Sequence, residues 1–183
     1  MELKRQVEDI FAQLEDHIDR LRSVGLFCKE GCFDCCMGKS VEATALEFLP
    51  MAVFLFDSGE LLSWEKKAQE ADPEAPCVIL RPGSENPCSC YEKRGLVCRL
   101  FGFSFLIGKD GRPQLWACSY LKDRFRLVPK GVRENLFSPV VTHYSLRLIG
   151  IDPELGSKYY PINTAIHKAL QMVGFLLSLK KAS

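Results

Sequence analysis

No apolar run in this 183-residue chain is long enough to cross a bilayer, which takes about 20 consecutive apolar residues in a helix. The longest, roughly Ala169 to Leu179, is short and broken by Gln171. No secretory leader is expected either, because MELKRQVEDIF alternates charged and apolar residues with no apolar core. Charge of one sign is also lacking. Lys and Arg total 24 and Asp and Glu 23, for a formal net charge of +1, so no global field draws the chain to nucleic acid or to a membrane surface. Histidine is scarce: His17, His143 and His167 stand far apart, on predicted helices, without the spacing of zinc ligands. No glycine-rich phosphate loop, serine or cysteine triad signature, internal repeat or low-complexity segment is found. These absences lead to the expectation of a soluble cytoplasmic protein without membrane or nucleic-acid partners.

Cysteine is abundant, with nine residues. An odd number cannot pair completely in internal disulfides. In a reducing compartment, clustered cysteines point to metal ligation or redox chemistry rather than to structural crosslinks. The first group, Cys28, Cys32, Cys35 and Cys36, has the spacing C-x3-C-x2-C-C, with Gly31 and Gly38 placed to permit tight turns. Such short spacings let neighbouring thiolates converge on one ion. Both tetrahedral zinc and iron–sulfur clusters take four of them. Adjacent side chains tend to diverge, so Cys35 and Cys36 are not both expected at one ion. The second group, Cys77, Cys88, Cys98 and Cys118, is spread more widely. Together the two groups supply thiols for two four-thiolate centres, or for one centre with spares.

The remaining pattern predicts a mainly α fold with one small β-hairpin and metal-stapled, cysteine-rich loops, in a single domain over 1–183. Leu3, Val7, Ile10, Leu14, Ile18 and Leu21 mark an amphipathic helix over 2–24, stopped at Gly25. Thr44 and Glu47 form a capping-box pattern, but Pro50 demands a kink or a helix that starts later. A helix from about 60 to 71 would bury Leu61, Leu62, Trp64 and Ala68. Residues 72–98, with Pro73, Pro76, Pro82 and Pro87, read as a loop that needs a staple. Residues 100–107 and 114–119 read as hairpin strands around a turn at 108–111, with Cys118 on the return strand. The basic stretch Lys122 to Arg133 reads as a solvated face. C-terminal helices are expected over 138–180, the first opened by Ser138–Pro139, the last capped by Asn163 after a loop holding Pro153 and Pro161.

The cysteine pattern resembles the CxxCxxCC cysteine-cluster family, described as zinc- or iron-chelating. The shared elements are CKEGCFDCC (28–36), TALE (44–47), CVIL (77–80), CSCYEKRGLVCRLF (88–101) and Cys118. In the family's central pattern, Cys88, Tyr91, Arg94, Cys98 and Arg99 occupy matching positions. The resemblance covers 28–118 and says little about activity. Cys90 stands where an aliphatic residue is usual and is set aside as a ligand. Gly95 replaces a usual proline, which implies a less rigid loop. Arg94 and Arg99 are candidates to neutralise or hydrogen-bond the thiolates, or else are ordinary surface arginines or linked to Glu92; Tyr91 reads as a packing residue.

The ligand set expected is therefore Cys28, Cys32, Cys35, Cys36, Cys77, Cys88, Cys98 and Cys118, around zinc or an iron–sulfur cluster. The function expected is metal binding, as a binding module or metal handler. The alternative is an iron–sulfur redox protein or electron-transfer partner of an oxidoreductase. The sequence names no reaction.

Overall fold

The computed structural model describes residues 2–38, 41–136 and 140–181, with side chains at the C-terminus as far as 177. Helix α1 (Glu2–Ser23) follows the expected periodicity, burying Val7, Ile10, Phe11, Leu14, Ile18 and Leu21. Gly25, at φ 91°, ends it in the left-handed conformation that favours glycine. Strand β1 (Glu42–Thr44) and a single 3₁₀ turn (Leu46–Phe48) lead into α2 (Leu49–Asp57), where Pro50 sits in the first turn. The helix thus starts later, as Pro50 demanded, and the capping pair sits in front of it. Thr44 N donates to Glu47 Oε1 at 2.7 Å, and Glu47 N donates to Thr44 Oγ1 at 3.4 Å.

Helix α3 (Leu61–Glu70) buries Leu61, Trp64 and Ala68, but Leu62 is 76% exposed and not part of the core. Within the expected loop a short helix, α4 (Leu96–Leu100), buries Leu96, Arg99 and Leu100 and carries Cys98. The hairpin pairs β2 (Ser104–Ile107) with β3 (Pro113–Trp116), closing on a turn in which Gly111 takes φ 74°. Cys118 is not on the return strand; it stands at the N-cap of α5 (Ser119–Leu127). The basic segment is helical, as α5 and α6 (Lys130–Glu134).

Helix α7 (Val141–Ile151) follows, while the cap expected at Ser138–Pro139 lies outside the described residues. Asp152 then caps α8 (Pro153–Ser157), accepting from Glu154 N and Leu155 N, so Pro153 opens a helix rather than breaking a loop. Strand β4 (Tyr159–Pro161) pairs antiparallel with β1, Ala43 opposite Tyr160, making a second two-stranded sheet that the sequence did not announce. Helix α9 (Ile162–Lys181) packs on α2, α3 and this sheet, and α1 packs on α2 and α7. Among the described residues no helix is long and apolar enough to cross a membrane.

Asn163 lies inside the first turn of α9, 1% exposed, and does not cap it. Its carboxamide turns to the proline-rich segment. Nδ2 donates to the carbonyls of Asp72, Ala75 and Pro76 at 3.1, 3.3 and 3.3 Å, and Oδ1 accepts from Val78 N at 2.8 Å. The staple expected for this loop is thus, in the first place, a side chain of the protein itself. Replacing Asn163 with Ala removes all four of these part-buried bonds. The expected result is a loss of about 1–3 kcal/mol in urea unfolding, with faster proteolysis confined to 72–78.

Gly95 is held by contact rather than freed by its lack of a ring. A Cβ there would come within 2.6 Å of Phe48 Cε1 and 3.1 Å of Glu47 Cγ. The loop is therefore closely packed where the missing proline had implied looseness. Gly95→Ala should destabilise by about 1–3 kcal/mol through overpacking. Gly95→Pro should do no better in the same thermal melt, although the native φ of −66° suits proline.

Candidate metal centre

Cys28 and Cys32 flank a turn in which Cys32 N donates to Lys29 O at 3.1 Å, and Gly31 adopts φ 64°. Gly38 needs no such freedom, since its φ is −64°. Cys35 and Cys36 sit on a 3₁₀ turn (Asp34–Met37), and their thiols hydrogen-bond to one another. Successive side chains on a 3₁₀ turn are about 120° apart rather than on opposite sides, as in a strand.

One backbone bond joins the two cysteine groups: Cys77 N donates to Cys36 O at 3.0 Å. Cys88 is set by the loop around it, where Leu80 and Cys88 form an isolated bridge and Arg81 N donates to Pro87 O at 2.7 Å. Cys98 is set by Glu47. The second carboxylate oxygen of Glu47 accepts from Val97 N at 2.6 Å, fixing the start of α4 from 50 residues away. Cys118 is brought toward Cys28 by α5, whose Arg124 donates from Nε to Gly25 O at 2.9 Å and lies 4.2 Å from the Phe27 ring centroid. Lys29 reaches back over Tyr120 at 4.8 Å. Arg124 is therefore a positioning residue and not a solvated charge.

Space does not follow the two groups read along the chain. The charge of Cys35 acts on Cys28, Cys32, Cys36, Cys77, Cys88 and Cys98, and that of Cys118 acts on Cys28. Cys90 is buried to one side, where burial pushes it up to about 11 and Cys88 is its one thiol neighbour of consequence. Desolvation pushes Cys28 and Cys77 up to about 11, with neighbouring thiols adding to the effect, and raises Cys32, Cys88 and Cys98. In the Cys35–Cys36 pair, the shared hydrogen bond lowers Cys35 and raises Cys36.

The two arginines divide differently from expectation. Arg99, 7% exposed, is neither a surface residue nor a donor to sulfur. Its Nη1 pairs with Glu15, its Nε donates to Arg94 O at 3.1 Å, and its Nη2 donates to Glu92 O at 2.6 Å, above the Phe11 ring. It binds α1 to α4. Arg94 is the residue beside the thiols, lowering Cys28, Cys35 and Cys88. Tyr91 is half exposed and lies 4.0 Å under the Arg94 guanidinium, a packing role. The histidines take no part: His17 bonds Tyr144 OH at 2.8 Å, joining α1 to α7.

Glu47, Asn163 and Arg124 were visible in the sequence only as a cap, a cap and a surface charge. Nothing local announces their distant partners.

The donor chemistry fits a thiophilic centre, because thiols are what zinc and iron–sulfur clusters take. Among the described residues, however, no three Cys, His, Asp or Glu side chains stand where they would already grip one ion. Burial keeps most of these thiols protonated, and ligation requires the thiolates to form and turn inward.

The model of a family described as "Putative zinc- or iron-chelating domain", CxxCxxCC, matches residues 27–130, from the start of the first cysteine group through α5. No curated protein and no solved structure matches the chain.

Reactivity reports the paired thiols directly. In metal-free protein at pH 7.5, iodoacetamide should label the Cys35–Cys36 pair once, and faster than it labels Cys28 or Cys32. All but Cys36 of these four are exposed, but only Cys35 is shifted toward the thiolate. Peptide mass spectrometry over a time course reads the order.

Proposed function

The chain belongs to the CxxCxxCC family, and on that premise we propose that it binds zinc or an iron–sulfur centre through thiolates drawn from Cys28, Cys32, Cys35, Cys36, Cys77, Cys88, Cys98 and Cys118. The observation that carries this reading is the bond from Cys77 N to Cys36 O, which joins one residue of each cysteine group. The reach of Cys35 across six other thiols supports a common site. Cys90 stays outside the set because it is buried in the hydrophobic core and Cys88 alone among the thiols acts on it.

The centre is carried by the fold rather than required to form it. Asn163 and Glu47 position the cysteine-bearing segments without any sulfur contact. The exposure of Cys28, Cys32 and Cys35 leaves one side open for exchange with a chelator or a partner. A metal handler or carrier follows more naturally than a zinc-stapled module, which unfolds when its ion is withdrawn.

Anaerobic purification with elemental analysis and a visible spectrum tests the proposal. Colourless protein with stoichiometric zinc assigns zinc. Brown protein with iron and sulfide that bleaches on reduction assigns the iron–sulfur, electron-transferring alternative. Protein that takes up neither defeats the reading. Loading should release protons, because raised thiols must ionise to ligate. Serine at Cys36 or Cys77 should abolish stoichiometric loading and serine at Cys90 should leave it intact. Chelation should remove the metal while the far-ultraviolet circular dichroism stays unchanged.

A further inference from the structure

Arg94 and Arg99 stand five residues apart and are both nearly sealed from solvent. Arg99 uses Nε, Nη1 and Nη2, each on a protein oxygen. Arg94 does not. Its side chain is 10% exposed, one Nη lies 3.9 Å from Glu15, and its plane covers Tyr91, yet its Nε is buried with no hydrogen-bond partner among the described residues. A buried donor left unpaired costs about 1–3 kcal/mol, so in a native structure it calls for an explanation. Arg133 and His167 also bury one unpaired nitrogen each, but Arg94 is the one that lies in the segment between two candidate ligands, Cys88 and Cys98. The turn that carries it is tied to the same site, since Tyr91 N donates to Cys88 O at 3.1 Å.

We propose that Arg94 is a positioning residue of the loaded centre, its Nε–H donating to a ligating thiolate sulfur while its charge offsets the excess negative charge of the thiolates. This rests on the metal reading above and adds a residue to it. The physical grounds are the orphaned donor, its burial, and the bond that ties its turn to Cys88. Thiolate is the acceptor that the neutral, metal-free thiols do not offer: ionised sulfur is the stronger acceptor, and hydrogen bonds to an ionised partner are roughly twice as strong as neutral ones. Glu15 and Tyr91 hold the guanidinium in place, so little ordering is needed when the acceptor forms.

The test uses full-length protein and two probes, zinc(II) by chelator competition and cobalt(II) by its thiolate charge-transfer absorption. Arg94→Gln should weaken zinc by about 10–100-fold, the usual cost of losing a group that supports a ligand. It should also move the cobalt band to longer wavelength, because a thiolate without its hydrogen bond gives up charge at lower energy. Arg94→Lys keeps the charge without the guanidinium donor and should recover part of the affinity but not the band. Unchanged affinity and band in folded Arg94→Gln overturn the inference, as does full recovery of the band by Lys. If Arg94→Gln fails to fold, Arg94→Lys decides alone, and a wild-type band overturns the inference. If the wild-type protein binds neither ion, the metal reading itself fails, which is a different result from a wild type that binds and a variant that binds equally well.

Discussion

The carboxamide of Asn163 is the contact on which the candidate site hangs. One side chain of α9 meets three carbonyls and one N–H of residues 72–78, a segment that Pro73 and Pro76 bar from regular structure. Backbone groups withdrawn from water need partners, and four of this segment's bonds go to a single residue. The next bond, from Cys77 N to Cys36 O, passes that position on to the first cysteine group. A side chain about 85 residues distant from Cys77 therefore decides where the thiols meet.

Glu47 and Arg99 extend the same principle. The carboxylate of Glu47 is fully enclosed and serves Thr44 on one oxygen and Val97 on the other, so β1 and the helix carrying Cys98 share one anchor. Burial raises its pKa, while the donated hydrogen bonds act in the opposite direction. Arg99 ties α1 to α4 from the other side. Each hub lies away from the sulfurs. The cysteine-bearing segments are thus positioned by a polar framework that makes no sulfur contact.

What the sequence disclosed follows from the range of the interactions. Helices α1 and α3 were legible because their apolar spacing persists over several turns, and the hairpin because glycines at 108 and 111 mark its turn. The Thr44–Glu47 pair was legible because it is local. The β1–β4 sheet was not: three residues carry no measurable period, and its strands lie more than a hundred positions apart. Leu62 was misplaced because a helix with two adjacent leucines does not say which one faces inward. Arg94 and Arg99 share a motif and a charge, and only their burial and partners separate them. The cysteines announced a thiol site. Their grouping in space did not follow their grouping along the chain, because α5 carries Cys118 back to Cys28 while Cys36 turns to Cys77.

Charge balance links these features. In the metal-free protein most thiols are held neutral by desolvation, and the positive charge of Arg94 is answered by Glu15. A divalent ion in four thiolates leaves about two negative charges in place of none. That excess would be costly in a half-buried site without a nearby cation. Arg94 stands next to Glu15 with its buried Nε unpaired among the described residues, and Glu15 is part-exposed. On the proposed reading, the buried thiols gain from ionising only when a cation arrives, and ionisation would create the acceptor that Arg94 Nε lacks. Thiol burial and arginine burial, each unfavourable alone, are complementary once the centre is filled.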